Sequence, residues 1–318
     1  MADGLKALGY ATLAVGKWHL GYLQQYRPAN RGLGEYYGTL GNSQYVRPKD
    51  FVDSRVGPDP ARVKRDTLYT TDAYGIREVD WLERNKDKPF FLYFPFSAQH
   101  VPLQPPQRYL DRFPGIADEN RKKFAATMSA MDDAIGTVLA KIREIGQEEN
   151  TPIFFFSDNS GPTEQTTSNN GPLRGRKGTT LEGGVRIPFC VQWKGKLPAG
   201  KSYERPVIRF AILPTVIAAA GGTVDPAWKL DGVNLLPYLT GQKSAMPHQT
   251  LYWRFGEQWA IRDGDWKLVA SRLNANQAKL FDLPKDIGEP NDLPLQEPAK
   301  VKKLTGAWKA WNAEQSPA

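Results

Sequence analysis

Lys17 and His19 stand in GKWHLG, His100 in SAQHVPL, and the pair Asp158-Asn159 in SDNSG. Each of these segments follows a strongly apolar run. Lys177 stands in a basic, glycine-rich stretch, NGPLRGRKGTTLEGGVR, over residues 170–186. Ammonium groups attract oxyanions, imidazoles move protons near neutral pH, and glycine-rich backbone can aim N–H groups at an anion. Asp-Asn offers two oxygen ligands to a hard cation, although it is also a common turn dipeptide. A lone histidine at a strand end is more often structural, but three chemistry-bearing strand ends in one chain weigh towards a site. The set suits binding and splitting an anionic ester. It contains no evident nucleophile, because neither Ser97 nor Ser157 lies in a GxSxG elbow. Neither GxxxxGK[ST] nor a GxGxxG after a strand is present, which speaks against nucleotide binding. The third histidine, His248, reads as a surface residue in a proline-containing loop.

Open α/β sheets bind ligands beyond the carboxyl ends of their strands, so the elements must deliver these residues to that edge. The runs at 10–15 (YATLAV), 90–96 (FFLYFPF) and 153–156 (IFFF) are continuously apolar, which predicts strands buried on both faces. Residues 185–193 read as a further buried strand that places Cys190 in the core. The spacing predicts helices over 67–84 and 120–145. In the second, Phe124, Met128, Met131, Ile135, Val138, Leu139, Ile142 and Ile145 form the apolar stripe, with the methionines as core filler and Gly146 as the stop. A helix over 209–220 ends at Gly221-Gly222. Leu5 and Leu8 before Gly9 read as the last turns of a helix feeding the first strand.

From about residue 228 the pattern changes to short strands at 251–255, 259–262 and 266–270, the last two joined by Asp263-Gly264-Asp265. An amphipathic helix over 298–313 presents Val301, Leu304, Trp308 and Trp311 on one side. The expected architecture is a layered α/β/α domain with a mixed, mostly parallel central sheet over 1–225. A small C-terminal part, with an antiparallel sheet and a helix, covers 226–318.

Composition narrows the classes. With 40% hydrophobic and 24% charged residues, the 318-residue chain can bury a core, which excludes disordered and fibrous classes. A net charge of +8 favours anionic substrates, but the basic residues are scattered, so no nucleic acid partner is expected. One cysteine excludes an internal disulfide and a cysteine-based zinc cluster. No run reaches the roughly 20 apolar residues of a membrane span, and residues 1–10 lack the pattern of a signal peptide, so localisation stays open.

The motifs resemble one family. GYATLAVGKWHLG is similar, almost letter for letter, to the second signature of the formylglycine-dependent sulfatases of the alkaline-phosphatase superfamily. The resemblance continues in family order through FFLYFPFSAQHVPLQPPQRYLDRF, FFFSDNSGP, LRGRKGTTLEGGVRIP, ILPTVIAAAG, LDGVNLLPYLTG, AIRDGDWKLV and LFDLPKDIGEPNDL, to about residue 293. It implies that Asp158 and Asn159 are part of a calcium or magnesium site and that Lys17 and Lys177 grip sulfate oxygens. It further implies that His100 contacts sulfate and helps protonate the leaving oxygen, and that His19 assists sulfate release. The implied substrate is a small-molecule or carbohydrate sulfate ester.

In that family the nucleophile is a hydrated formylglycine made from a cysteine in a CxPSR-type motif. Cys190 is followed by Val191 and Gln192 and does not match. The resemblance also places two further metal-binding aspartates and an arginine in a segment before the one corresponding to Met1. The expectation is therefore an N-terminally truncated sulfatase whose activity as a lone chain is doubtful and which folds marginally. Smaller departures are Ser160, where glycine is usual, and Ala211, where aspartate is common. Two other readings are a non-catalytic binder of sulfated sugars and a related phosphate or phosphonate ester hydrolase.

Overall fold

The computed structural model describes residues 1–48, 50–55, 69–271 and 277–316. In chain order the elements are α1 (Ala2–Ala7), β1 (Ala11–Lys17), β2 (Glu35–Thr39), β3 (Phe51–Asp53), α2 (Thr70–Arg84), β4 (Phe90–Tyr93), α3 (Gln107–Leu110) and α4 (Glu119–Glu144). They continue with β5 (Ile153–Phe156), α5 (Glu182–Val185), β6 (Phe189–Gln192), α6 (Ile212–Ala219) and α7 (Leu236–Leu239). The last are β7 (Thr250–Phe255), β8 (Gln258–Asp263), β9 (Trp266–Ala270), β10 (Lys279–Asp282) and α8 (Pro298–Ala313). They form two compact units. One holds Met1–Pro152, Trp193–Lys196 and Ile212–Asn234; the other holds Ile153–Gln192, Leu197–Ala211 and Leu235–Ala318.

The first unit is an α/β/α sandwich around a mixed sheet of order β3-β2-β1-β4, with β1 parallel to both β2 and β4 and β3 antiparallel to β2. β1 is central and its interior is fully covered, as its unbroken apolar run requires. Alternate residues face opposite layers. Leu13 and Val15 join Tyr74, Trp81 and Leu82 of α2 and Val138 and Ile142 of α4. Ala14 faces Ala2, Trp18, Leu33, Tyr36 and Val52 on the other side. α6 lies on that second side, where a Cβ on Gly4 would come 3.0 Å from Ile217.

α4 runs where the spacing predicts, capped by Asp118, whose carboxylate accepts the Arg121 N–H at 2.6 Å, and stopped by Gly146 at φ +72°. Its buried face differs from the expected stripe. Ala126, Thr127, Ala130, Ala134, Val138 and Ile142 are buried, whereas Met128 is 38% exposed and so is not core filler. The small residues allow α2 to approach until a Cβ on Gly75 would stand 3.3 Å from Ala134 Cα. The predicted start of α2 at residue 67 falls partly outside the described residues; the helix itself begins at Thr70.

The second unit contains the two-stranded antiparallel sheet β5-β6 and an antiparallel sheet of order β10-β9-β8-β7. α8 covers one face of the larger sheet, setting Leu304 among Ile261, Leu268 and Leu280. Trp308 stacks on Trp259 at 4.5 Å and Trp311 on Tyr252 at 5.0 Å. Leu181, Ala260, Val269, Phe281 and Leu283 form the core on the opposite face.

Two expectations need correction. β4 and β5 are half-buried rather than covered on both faces: in β5, Phe154 and Phe156 pack against Phe189 on one face, while Phe155 on the other is 48% exposed. Cys190 is exposed rather than core, since it pairs with Phe155 across β5 and β6 and shares that residue's uncovered face. Among the described residues no helix is long and apolar enough to cross a membrane.

Candidate active site

In the first unit, parallel pairing sends the carboxyl ends of β1, β2 and β4 to one edge. There the Lys17 N–H donates to Pro95 O (2.7 Å), the Trp18 N–H to Thr39 O (2.8 Å) and the His19 N–H to Leu40 O (2.9 Å). The crossing at Gly16 is tight. Its φ is +136°, and a Cβ there would fall 1.9 Å from Pro95 O, so glycine is required. Lys17 is half-buried at the end of its strand. His19 is exposed in a left-handed backbone conformation, φ +47°, with its ring edge-on to Tyr22 at 6.5 Å.

His100 follows β4 on a half-buried loop. Its Nδ1 lies 2.7 Å from Val101 O, and a carbonyl only accepts, so Nδ1 carries the proton. Nε2 is then left to accept a proton, or to donate one once the ring is charged. The loop is pinned from beneath by the buried Tyr45, whose hydroxyl lies 2.8 Å from both Ser97 O and His100 O. Burial pushes that hydroxyl's pKa up, keeping it a neutral donor. Sequence reasoning missed Tyr45, which carries no motif signal.

In the second unit, Asp158 and Asn159 follow β5. The Asn159 amide donates to Asp158 Oδ1 (2.7 Å), Arg209 donates to the Asp158 carbonyl (2.6 Å), and the Ser157 hydroxyl donates to the Asn159 carbonyl (2.5 Å). With its amide committed, Asn159 Oδ1 and the second oxygen of Asp158 are the side-chain oxygens suited to a hard cation. Two donors fall short of the six to eight that calcium takes. No cluster of three or more His, Cys, Asp or Glu able to hold a metal occurs among the described residues.

The glycine-rich loop joins this strand end through Gly161, whose carbonyl accepts the Lys177 N–H (3.3 Å) and whose N–H donates to Asn170 Oδ1 (3.1 Å). The Asn170 amide also donates to Gly175 O (3.1 Å) and Gly183 O (3.0 Å), closing the loop on itself. Lys177 is exposed at its tip. Ser160 is buried, and its hydroxyl has no hydrogen-bond partner among the described residues. His248 is half-buried rather than on the surface.

Each unit thus carries part of the predicted set: Lys17, His19 and His100 in one, Asp158, Asn159 and Lys177 in the other. Parallel strands that bring Lys17, His19 and His100 to their carboxyl ends have the arrangement by which α/β proteins bind anionic ligands. The family model described as Sulfatase matches residues 1–222, and the chain belongs to the sulfatase family.

Among curated relatives, the chain is 30% identical to the uncharacterized sulfatase YdeN of Escherichia coli (strain K12), over 94% of this chain and 63% of that protein. It is 35% identical to mouse (Mus musculus) arylsulfatase J, over 73% of this chain and 40% of that one. It therefore spans less than two thirds of the length of these relatives. Among solved structures, Ps i-CgsB in complex with k-i-k-neocarrahexaose is similar at 30% identity and TM-score 0.88, over 98% of this chain and 73% of that chain.

Proposed function

We propose that the chain serves hydrolysis of a sulfate ester borne by a carbohydrate. The observation that carries this reading is His100 Nδ1 bonded to Val101 O on the loop after β4, the strand that pairs in parallel with β1, whose carboxyl end bears Lys17. Family membership supports the sulfate ester, and the neocarrahexaose complex of a similar protein supports a sulfated sugar.

In this reading Lys17 and Lys177 neutralise the non-bridging sulfate oxygens. Protonated His100 gives its Nε2 proton to the bridging oxygen as that S–O bond breaks and the sulfuryl group passes to an attacking oxygen nucleophile, because a sugar alkoxide is a poor leaving group. His19 moves a proton during sulfate release. Asp158 and Asn159 would supply two ligands of a divalent cation, Ca2+ or Mg2+, whose shell they do not complete and whose charge would help neutralise the ester. No CxPSR-type cysteine occurs in the 318 residues, so bond cleavage needs a nucleophile that this sequence does not supply in that form. Residues 1–225 as the catalytic part and 226–318 as a smaller C-terminal part belong to the same proposal.

Titration calorimetry with a sulfated neocarrahexaose and its desulfated counterpart tests the reading. The sulfated sugar should bind at least about tenfold more tightly, and Lys17→Ala or Lys177→Ala should erase most of that difference. Equal affinity for the two sugars overturns it. Tighter binding of an aryl phosphate than of the matching aryl sulfate would move the assignment to phosphate esters.

A further inference from the structure

Beneath the glycine-rich loop lies an ionic cluster that the reaction does not use directly. Lys267 of β9 points to the sheet face opposite α8 and is fully buried, with Nζ 2.8 Å from Glu182 Oε1 and 3.1 Å from Glu289 Oε1. The two glutamates are equally enclosed, their side chains 2% and 0% exposed. Glu289 acts twice: its Oε2 also accepts the backbone N–H of Glu182 at 2.7 Å. It does so from a left-handed backbone conformation, φ +56°, which non-glycine residues rarely adopt. Glu182 is therefore gripped by side chain and main chain together. Trp253 closes the cluster, its ring centre 5.7 Å from Nζ.

Glu182 opens α5, five residues after Lys177, and the chain between them has little freedom. The Gly183 N–H donates to Arg174 O at 2.7 Å, and a Cβ on Gly183 would lie 2.6 Å from the carbonyl oxygens of Arg174 and Gly175. A Cβ on Gly184 would lie 2.0 Å from Thr179 O. From the β8 side, the Gln258 amide donates to Gly178 O at 2.8 Å. A displacement of Glu182 is thus passed to the loop tip. Buried ion clusters are often no more stabilising than apolar side chains of similar volume, and their best-attested use is to fix one arrangement. We infer that Lys267 and Glu289 are positioning residues for Lys177: by clamping Glu182 they fix where the Lys177 ammonium stands. The inference rests on the reading of Lys177 as a sulfate-binding residue.

The test is a double-mutant cycle on the full chain, read as the ratio of affinities for sulfated and desulfated neocarrahexaose. The variant K267M/E182Q/E289Q removes the three charges at nearly constant volume. It should keep a cooperative melt and its affinity for the desulfated sugar while losing about tenfold in the ratio, and it should lose no more when Lys177→Ala is added. Full additivity with Lys177→Ala, or an unchanged ratio in the triple variant, overturns the positioning role. An unchanged ratio in Lys177→Ala itself would instead overturn the functional reading.

If the triple variant does not fold, Glu289→Gln alone replaces it, with amide hydrogen exchange at Arg176, Lys177 and Gly178 as the readout. Faster exchange there, with unchanged exchange in β1, supports the clamp; unchanged exchange at the three amides overturns it.

Discussion

The bond from His100 Nδ1 to Val101 O commits this ring to one neutral tautomer before any ligand arrives. Nitrogen-15 NMR at alkaline pH should show His100 protonated at Nδ1; a spectrum showing the proton on Nε2 would contradict the bond to Val101 O. Gly16 has an equally local role, for a side chain there meets Pro95 O and an unfavourable φ at once. Gly16→Ala should destabilise the protein by at least about 3 kcal/mol in urea titrations, and a loss under about 1 kcal/mol would show that the crossing has room. Lys17, His19, His100, Asp158 and Asn159 could be proposed because polar chemistry soon after an apolar run is visible in one dimension, and Lys177 because it stands in a basic, glycine-rich stretch. Tyr45 and the trio Glu182, Lys267 and Glu289 were not. Their meaning comes from burial and from partners up to 107 residues apart, as between Glu182 and Glu289.

At the scale of elements, legibility followed how completely a strand or helix is enclosed. β1 was clear because neighbours cover both its faces, and α8 because one face meets a sheet and the other meets water. β2, read as EYYGT, passed unnoticed: it is short, holds a glycine, and its two tyrosines point to opposite layers, Tyr36 to one core and Tyr37 to the other. The face of α4 was misjudged because alanines carry little hydrophobic signal while permitting the closest approach. Replacing Leu304 of α8 with alanine should cost about 2–5 kcal/mol in chemical denaturation, since that side chain is 3% exposed in the C-terminal core. A cost below about 1 kcal/mol would mean that α8 is not anchored there.

In α2, Glu78 is fully buried, and its carboxylate oxygens have no hydrogen-bond partner among the described residues. Burial raises its pKa well above the ordinary glutamate value. A raised acid contributes stability that is complete below the unfolded pKa and lost as pH rises through the folded one. Glu78→Gln should therefore match the parent near pH 4 and exceed it at pH 8. Equal stability difference at both pH values would show that Glu78 ionises freely.

For the molecule as a whole, the half-covered aromatic strands β4 and β5 each stand at the end of their sheet, and Phe155 and Cys190 are exposed. Such edges template pairing with other chains, so light scattering should rise with protein concentration, and Phe155→Lys should reduce it without lowering the melting temperature. Scattering unaffected by Phe155→Lys would place self-association elsewhere. Cys190 should react with one equivalent of a thiol reagent such as DTNB under native conditions; a silent thiol would contradict its exposure.

The division into units has a temporal side. Residues 193–196 and α6 belong to the first unit although most of the second unit's early strands and loop are encoded between them and β4. On a ribosome adding about 5–20 residues per second, the first unit lacks its last piece from the end of β4 at Tyr93 until residue 234 has been made, 141 residues and roughly 7–28 s later. During that interval β1 and its neighbours wait with one helical layer unfinished, so chaperone access during synthesis, more than the stability of the finished chain, should govern the yield of folded protein.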